Sequence, residues 1–397
     1  MLIDIETTFD DEDRKATATA HAFAADVLRP IGLQLDAMKN PADVIAPGSP
    51  LWEAFREYNA RGIPRLSGAD LDPVVRMRRM VIVNEELAWG DVGLAISLGL
   101  SEFHKPWVEQ SGNRELLERF CAPDRPVLAC WAVTEPDHGS DSVALTESHF
   151  RDASIVANCR AKKDGDDYVI NGQKAAWVSN GSIADIAVLF CTLDQSQGFS
   201  GGAVFLVPMD LPGVRRPRPL DKLGQRSLNQ GEVFFDDVRV PAGYMVVGPE
   251  FYAMALEAML AYANAAMGQL FVGLARAALE HTLEHVGNRA QGRPLSQAVR
   301  SRLFRMFTRV EAARALCRRV AAYNATNPPV LHYSVATKVF CTNASFEVAS
   351  DALHVVGSDG LARGSLLEKF FRDARASLIE DGCNEVLGLM AATRLVD

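Results

Sequence analysis

The spacing of apolar residues changes twice along this chain, and that change limits the possible folds more than any other feature. Up to about residue 125 the apolar positions recur at helical intervals. From about 127 to 242 they alternate between clusters of turn residues, and from 249 onward helical spacing returns. The 397 residues suffice for two or three cores, because a single core seldom exceeds about 250 to 300 residues. We therefore predict an α+β multidomain fold with an N-terminal helical domain (1–126), a central β-barrel-like domain (127–242) and a C-terminal four-helix bundle (243–397).

Strand patterns in the middle segment occur at 168–174, 187–190, 203–207 and 232–235. Asn171 and Gly172 lie within the first of them, and Asn-Gly favours a type I′ turn because both central positions of that turn need a positive φ. We therefore predict a hairpin centred on this pair. After residue 249, helical patterns cover 251–286, 297–323, 334–356 and 383–396.

The charge balance and the cysteines exclude several classes of function. A net charge of -9 and the lack of a basic stripe with interleaved aromatic residues predict no nucleic-acid partner. The acidic N-terminus has no signal-peptide pattern, and apolar runs such as 92–100 are too short to span a bilayer, so we predict a cytoplasmic protein without membrane contact. Seven scattered cysteines without a Cys-x-x-Cys pair predict reduced thiols. We predict no metal site, since His281 and His285 are four residues apart but have no third ligand at a suitable spacing.

Two adjacent carboxylates near the C-terminus are the strongest candidates for chemistry. Glu380 and Asp381 follow the apolar pair 378–379 and precede Gly382. Apolar surroundings disfavour the charged form of a carboxylate, which raises its pKa toward the range useful to a proton-abstracting base. On the local sequence alone, the favoured interpretation is instead a solvated turn in which the two acids cap the last helix, and only the rest of the chain can reverse that preference.

Four segments resemble, in their order and spacing, those of a known enzyme family. Residues 131–141 resemble the Thr-Glu-Pro-x-x-Gly-Ser-Asp signature of acyl-CoA dehydrogenases, and residues 171–181 resemble the second flavin segment of that family. Residues 233–241 resemble the strand that leads into its C-terminal bundle, and residues 371–375 with 381–382 complete the series. The resemblance runs from about residue 72 to the end of the chain. It implies the acyl-CoA dehydrogenase-like architecture given above and a bound FAD.

The resemblance also implies roles for individual residues. Hydroxyls of Thr134 and Ser179 would bond to the isoalloxazine, Trp177 would form its apolar wall, and the backbone beside Ser140 would meet the pyrophosphate. Without the motifs, the favoured interpretation is that Thr134 and Ser179 are strand residues whose hydroxyls bond to the backbone. Trp131 in the first segment, and Cys383 and Glu385 after the base, are further implied FAD contacts. The others would contact the FAD of the neighbouring subunit. They are Arg289 and Gln291 in one loop and His354, Gly357 and Ser358 at a turn.

The chain departs from the family at the base and beside the substrate. Asp381 stands where the family usually has glutamate, and Glu380 replaces a common aromatic residue, so Asp381 is our candidate base and Glu380 the runner-up. Ala261 and Asn264 replace an acid and an arginine that many fatty-acyl enzymes carry near the substrate, which suggests a different acyl group or carrier.

The function implied is FAD-dependent α,β-dehydrogenation of an acyl thioester, bound to coenzyme A or to an acyl carrier protein. Asp381 would remove the α-proton while the β-hydrogen leaves as hydride to the flavin. An electron-transfer flavoprotein would accept the electrons, and the chain would form a homodimer or homotetramer. One alternative is a nitroalkane-oxidase-like flavin oxidase or a flavin monooxygenase of the same fold, since nitroalkane oxidases also resemble this chain in having an aspartate base. Another is a non-catalytic scaffold.

Overall fold

Helices build the first part of the chain in the computed structural model, which describes residues 4–68, 70–121 and 126–396 and leaves the side chain of Ala176 undescribed. Asp10, Asp72 and Asp91 each cap a helix by accepting hydrogen bonds from backbone N–H groups of its first turn. A π-helical turn, Ala24–Leu28, joins the first two helices. The helices are α1 Asp11–Phe23, α2 Arg29–Asp36, α3 Pro41–Val44, α4 Pro50–Ala60, α5 Pro73–Gly90, α6 Val92–Leu100, α7 Lys105–Ser111 and α8 Arg114–Phe120.

Two parts of the sequence predictions touch residues outside this description. The predicted boundary at 126–127 follows residues 122–125, and the acidic N-terminus begins with residues 1–3. The domain bounds therefore stay predictions.

An eight-stranded sheet forms the middle of the chain. The strands are β1 Ala129–Ala132, β2 Arg160–Asp164, β3 Asp167–Ser179, β4 Ile186–Thr192, β5 Gly202–Pro208, β6 Val214–Arg215, β7 Gln230–Pro241 and β8 Met245–Val247. Their order is β6-β7-β3-β2-β4-β5-β8, with β1 added parallel to β4. β4 and β5 are buried along their whole length, as expected of strands covered on both faces. The four predicted strand patterns fall within β3, β4, β5 and β7. In the order of the described strands the sheet is open, with β6 and β8 at its two ends.

The predicted hairpin at Asn171 and Gly172 is wrong. Both residues lie inside β3, and the β2–β3 hairpin turns instead at Gly165 and Asp166, between the paired residues 164 and 167. Gly172 has a φ of 136° at a register shift between β3 and β7, and a Cβ there would lie 2.5 Å from the Cα of Cys159. The glycine therefore serves a bulge and a close backbone approach rather than a turn.

Six further helices lie within the described residues 249–396. They are α9 Pro249–Ala290, α10 Gln297–Asn324, α11 Leu331–Val356, α12 Ser358–Leu361, α13 Leu366–Ala376 and α14 Asn384–Val396. The four long predicted helices are confirmed as α9, α10, α11 and α14, while α13 was not predicted. By length and composition α9 could cross a membrane, which the argument from short apolar runs overlooked, but 78% of the apolar window lies buried in the protein. It is the central helix of the core, packed against α11 and α5.

A buried polar network joins the helices at both ends of the chain to the sheet region. The ammonium of Lys369 on α13 lies 2.6 Å from carboxylate oxygens of both Asp91 and Asp373. Asp91 also accepts a hydrogen bond of 2.5 Å from the hydroxyl of Ser227, and Asp373 accepts one from the backbone N–H of Gln225. The cation and both acids are almost fully buried, so each of them depends on the others for charge compensation.

Candidate active site

The end of β3 presents an exposed aromatic ring beside a hydroxyl. Trp177 and Ser179 are two residues apart and share one face of the strand, while Val178 between them is buried. Trp177 is 55% exposed, which is unusual for so large an apolar side chain in a sheet. The Oγ of Ser179 accepts a hydrogen bond of 2.9 Å from Nε2 of Gln230 on β7, so its own O–H remains able to donate.

The segment after β1 runs beside this part of β3. The backbone N–H of Ala175 donates to the carbonyl of Thr134 at 3.0 Å. The hydroxyl of Thr134 donates to the carbonyl of Ala175 at 3.4 Å, a long bond that a better acceptor would replace. The indole N–H of Trp131 is buried and has no hydrogen-bond partner among the described residues. A buried donor without a partner is costly, and it marks a place where an acceptor from a ligand fits.

A buried ion pair fixes the Thr-Glu-Pro turn. Nζ of Lys174 donates to Oε1 of Glu135 at 2.6 Å and to the carbonyl of Val133 at 2.8 Å. Both charged side chains are 1% exposed. Glu135 also accepts from the backbone N–H of Cys159 at 3.0 Å. The glutamate of this motif is therefore a structural anchor that sets the position of the residue before it, Thr134.

The candidate base lies on a tightly anchored loop. Asp381 has a φ of 51° and Gly382 a φ of 97°, both in the left-handed region. The backbone N–H of Cys383 donates to Oγ of Ser140 at 2.8 Å, which joins the loop to the segment that follows β1. Nζ of Lys338 on α11 donates to the carbonyl of Gly382 at 2.7 Å. The loop is thus held between the sheet region and the helical bundle.

Burial raises the pKa of Asp381 to about 6, and the nearby ammonium of Lys338 opposes that rise. The lysine responds in turn, because burial lowers its pKa to about 8 although the two acids and Cys383 oppose the change. A carboxyl group with a pKa near 6 is ionised at neutral pH, yet it is a stronger base than an exposed aspartate.

Glu380 belongs to a second titratable cluster. Burial and the charge of Asp381 raise its pKa to about 7, although the amide of Gln225, which donates to its carboxylate, stabilises the charged form. Burial also lowers the pKa of Lys222 to about 7. Nζ of Lys222 donates to Oε1 of Gln230 at 2.5 Å, and that glutamine donates to Ser179. The charge of Lys222 also favours the ionised form of Glu380, so this lysine links Glu380 electrostatically to the hydrogen bonds at the exposed face of β3.

The other predicted FAD contacts lie far from this site within one chain. His354 is sixteen residues after Lys338 on α11, which at 1.5 Å per residue is about 24 Å away. Gly357, with a φ of 77°, and Ser358 follow at the end of that helix. Arg289 belongs to the same end, since it pairs with Asp359 at 3.1 Å; Gln291 follows it at the end of α9. The structure thus separates the predicted contacts into two groups.

Cys383 and Glu385 lie just beyond the base. The thiol of Cys383 is half-buried and donates to Oε2 of Glu385 at 3.5 Å, while Glu385 itself is exposed. Nothing in this pair indicates redox chemistry. Among residues 4–68, 70–121 and 126–396, no group of three or more His, Cys, Asp or Glu side chains is placed to hold a metal ion.

The residues present fit an FAD ring. The flat, exposed indole of Trp177 offers an apolar wall, the hydroxyl of Ser179 offers a donor, and the buried indole N–H of Trp131 lacks an acceptor. The base loop touches the same region through Ser140. This arrangement can hold a planar ring and remove a proton from a ligand beside it.

The sequence reasoning missed Lys338, Gln225 and Lys222. For Lys338 a signal was present, because its position places a charge on the buried face of α11, between Val335 and Cys341. A charge on an apolar face needs a partner, which would have directed attention to the lysine. Gln225 and Lys222 gave no comparable signal, since Gln225 bonds to Asp373 and Glu380, 148 and 155 residues away, and the charge of Lys222 acts on the same Glu380.

Comparison with known proteins places this arrangement in a family. The model named "Acyl-CoA dehydrogenase, middle domain" matches residues 130–238, and the one named "Acyl-CoA dehydrogenase, C-terminal domain" matches residues 252–396. The cyclohex-1-ene-1-carbonyl-CoA dehydrogenase of Geobacter metallireducens is 32% identical over 294 residues, covering 72% of this chain and 73% of that protein. The mitochondrial short-chain specific acyl-CoA dehydrogenase of Bos taurus is 29% identical and covers 95% and 88%. The structure of butyryl-CoA dehydrogenase from Megasphaera elsdenii superposes with a TM-score of 0.83 at 25% identity, covering 99% and 100% of the two chains.

Proposed function

This chain belongs to the acyl-CoA dehydrogenase family and is an FAD-dependent oxidoreductase acting on the CH–CH bond of an acyl thioester, and we propose that Asp381 is its base. The observation that carries the proposal is the position of this carboxylate. It lies on a loop anchored to Ser140, with its pKa raised to about 6 by burial. Glu380 is less suited, because the amide of Gln225 already occupies its carboxylate.

Asp381 accepts the α-proton of the thioester in this proposal. Its carboxylate is ionised at pH 7 because its pKa lies below that value. The backbone N–H of the same residue polarises the thioester carbonyl, which makes the α-proton more acidic. FAD supplies, when bound, the acceptor for the hydride that leaves the β-carbon. Trp131, Thr134, Trp177 and Ser179 would hold the flavin ring, and Ser140 holds the base loop through the N–H of Cys383.

We propose a short or cyclic acyl group bound to coenzyme A, with an acyl carrier protein as the alternative carrier. Ala261 and Asn264 are fully buried on α9, and Oδ1 of Asn264 has no hydrogen-bond partner among the described residues. Ala261 and Asn264 thus put a small apolar group and a neutral polar group where many fatty-acyl enzymes have a charged pair. The names of the relatives from Geobacter metallireducens and Bos taurus agree with small acyl groups.

We further propose that a second copy completes the FAD site, in a homodimer or homotetramer. The group formed by Arg289, Gln291, His354, Gly357 and Ser358 lies too far from Asp381 to touch the same end of one FAD, so it would serve the FAD of a neighbouring subunit. An electron-transfer flavoprotein in the cytoplasm would reoxidise the flavin. Both statements remain predictions from the sequence.

The test is an anaerobic titration of the purified, FAD-loaded protein against acyl-CoA and acyl carrier protein thioesters, with flavin absorbance as the readout. Bleaching by a short-chain thioester is expected for the wild type and its loss for Asp381→Asn. Retained bleaching in Asp381→Asn together with its loss in Glu380→Gln would assign the base to Glu380. Rapid oxygen consumption without bleaching by any thioester would indicate the oxidase alternative, and a protein that takes up no FAD would indicate the scaffold.

A further inference from the structure

We propose that Lys338 is a positioning residue for the base: its ammonium fixes the loop 381–384 against α11 and sets the pH range in which Asp381 is ionised. The proposal deepens the proposed function and rests on Asp381 being the base. Nothing in the motifs of the sequence points to this lysine. It follows from where α11 places its side chain.

The geometry around Nζ of Lys338 is that of a fixed anchor. The side chain is fully buried. Two of its three N–H groups are used, one on the carbonyl of Gly382 and one on Oδ1 of Asn384, both at 2.7 Å. Asn384 is itself held, since its amide donates to Oγ1 of Thr342 at 3.0 Å and to Oδ1 of Asn343 at 3.2 Å. One face of α11 therefore forms hydrogen bonds with both the peptide after the base and the first residue of α14.

The backbone of the loop explains why an anchor is needed. Asp381 and Gly382 both have positive φ, and a non-glycine residue in that region persists only where the surroundings determine it. The hydrogen bond from Cys383 to Ser140 fixes the loop on the side of the sheet. Lys338 supplies the matching contact on the side of the bundle. Without it, the carboxylate would lose its fixed distance to a bound substrate.

The charge of the lysine has a separate effect. The ionisable groups that face it are Asp381, Glu380 and Cys383. A second cation, Lys222, acts on Glu380. Lys338 is the cation that favours the charged form of Asp381. At pH 6 to 7 it carries its charge, because its own pKa is about 8.

The plain alternative is a buried lysine that only satisfies a carbonyl and an amide. Three substitutions separate the two roles. Lys338→Gln keeps a hydrogen-bond donor and removes the charge, Lys338→Arg keeps both, and Lys338→Met removes both. Asn384→Ala is the matched control, because it removes a loop contact without changing any charge.

The experiment measures two quantities for each FAD-loaded variant. The first is the pH dependence of kcat/KM with the best thioester, in the wild-type and the Glu380→Gln backgrounds so that Asp381 is the acid that titrates. The second is the pKa of the carboxyl group, from infrared spectra of each protein minus those of its Asp381→Asn partner. The second measurement needs no turnover.

For Lys338→Gln and Lys338→Met we expect the acid limb and the infrared pKa to move upward by on the order of one pH unit, since an opposite charge nearby shifts a carboxyl pKa by about that much or more. At pH 6.5, kcat/KM expressed as a fraction of each protein's own plateau should then be about threefold lower in the variant than in the wild type. Lys338→Arg should keep the wild-type limb, and Asn384→Ala should lower the plateau without moving the limb.

An unmoved acid limb and infrared pKa in Lys338→Gln would overturn the proposal, even if its plateau falls. If Lys338→Met does not fold, Lys338→Gln alone decides. If no thioester bleaches the wild-type flavin, the proposed function fails, whereas the infrared titration still tests whether Lys338 sets the pKa of Asp381.

Discussion

Lengthening the base by one methylene, Asp381→Glu, tests whether its position limits the reaction. The loop cannot retreat to absorb the added length of about 1.5 Å, because Ser140 holds Cys383 at 2.8 Å and Lys338 holds Gly382 at 2.7 Å. A misplacement of about 1 Å can reduce a rate by about a hundredfold. We therefore expect the rate of flavin bleaching at saturating thioester to fall by about that factor. KM should stay within about threefold, because the substrate contacts are unchanged.

The same substitution also changes the preference of residue 381 for a backbone conformation with positive φ. Asp381 has a φ of 51°, a region in which aspartate is enriched over longer side chains. This gives a physical reason for an aspartate at a position where the family usually has glutamate. Asp237 is an exposed aspartate with a φ of 50° outside the site, so Asp237→Glu is the matched control for the backbone cost. That control should leave the bleaching rate unchanged.

The assay is anaerobic stopped-flow mixing of FAD-loaded protein with thioester, with the unfolding midpoint in urea measured in parallel. A bleaching rate of Asp381→Glu within threefold of the wild type would refute the reasoning. It would mean that the loop adjusts to the longer side chain and that the anchors do not set the reach of the base.

Three further outcomes follow from the structure. Lys174→Met leaves the carboxylate of Glu135 buried and unpaired, so urea denaturation should show a loss of about 3 to 5 kcal/mol in the free energy of unfolding, while the exposed Lys163→Met should change it by less than about 0.5 kcal/mol. Trp177→Ala should reduce the flavin retained per protein after gel filtration with little change in the urea midpoint, because the ring is 55% exposed; unchanged retention would remove the indole from the FAD site. The wild-type rate of bleaching should rise with pH through about 6 and then level off, because only the ionised form of Asp381 accepts a proton, and a rate that falls over this range would contradict the assignment.

The order of elements could be predicted because it depends on local periodicity. The unbroken apolar runs 187–190 and 203–207 were enough to find β4 and β5, both of which are buried throughout. The Asn-Gly pair at 171–172 misled because a turn signal and a bulge need the same positive φ. Only the close approach of Cys159, which is a long-range contact, distinguishes the two.

The site residues that belong to family motifs could be predicted from the sequence. The residues that hold them in place from distant parts of the chain could not. Asp381 and Trp177 could be singled out from resemblance. The charge of Lys338 on the buried face of α11 indicates that the lysine needs a partner, but the sequence does not identify that partner, because Gly382 is 44 residues further along the chain. Likewise, no pattern near Ser179 shows that Gln230 and Lys222 extend its hydrogen bond toward Glu380. Sequence patterns report the period of a helix or strand, whereas these contacts arise from the packing of several elements.

The network around Lys369 has a consequence for how the protein unfolds. Its members are Asp91, which caps α6, two residues of the segment before β7, and Lys369 and Asp373 of α13. All of them are buried, and the ammonium of Lys369 lies between the two carboxylates. A fragment cut to contain only one of these regions would carry an uncompensated charge or an unsatisfied polar group at its new surface. The chain should therefore melt in a single cooperative transition, observed alike by the tryptophans of the sheet region and by the helical circular dichroism signal. Unfolding of one region should therefore cause the other regions to unfold as well.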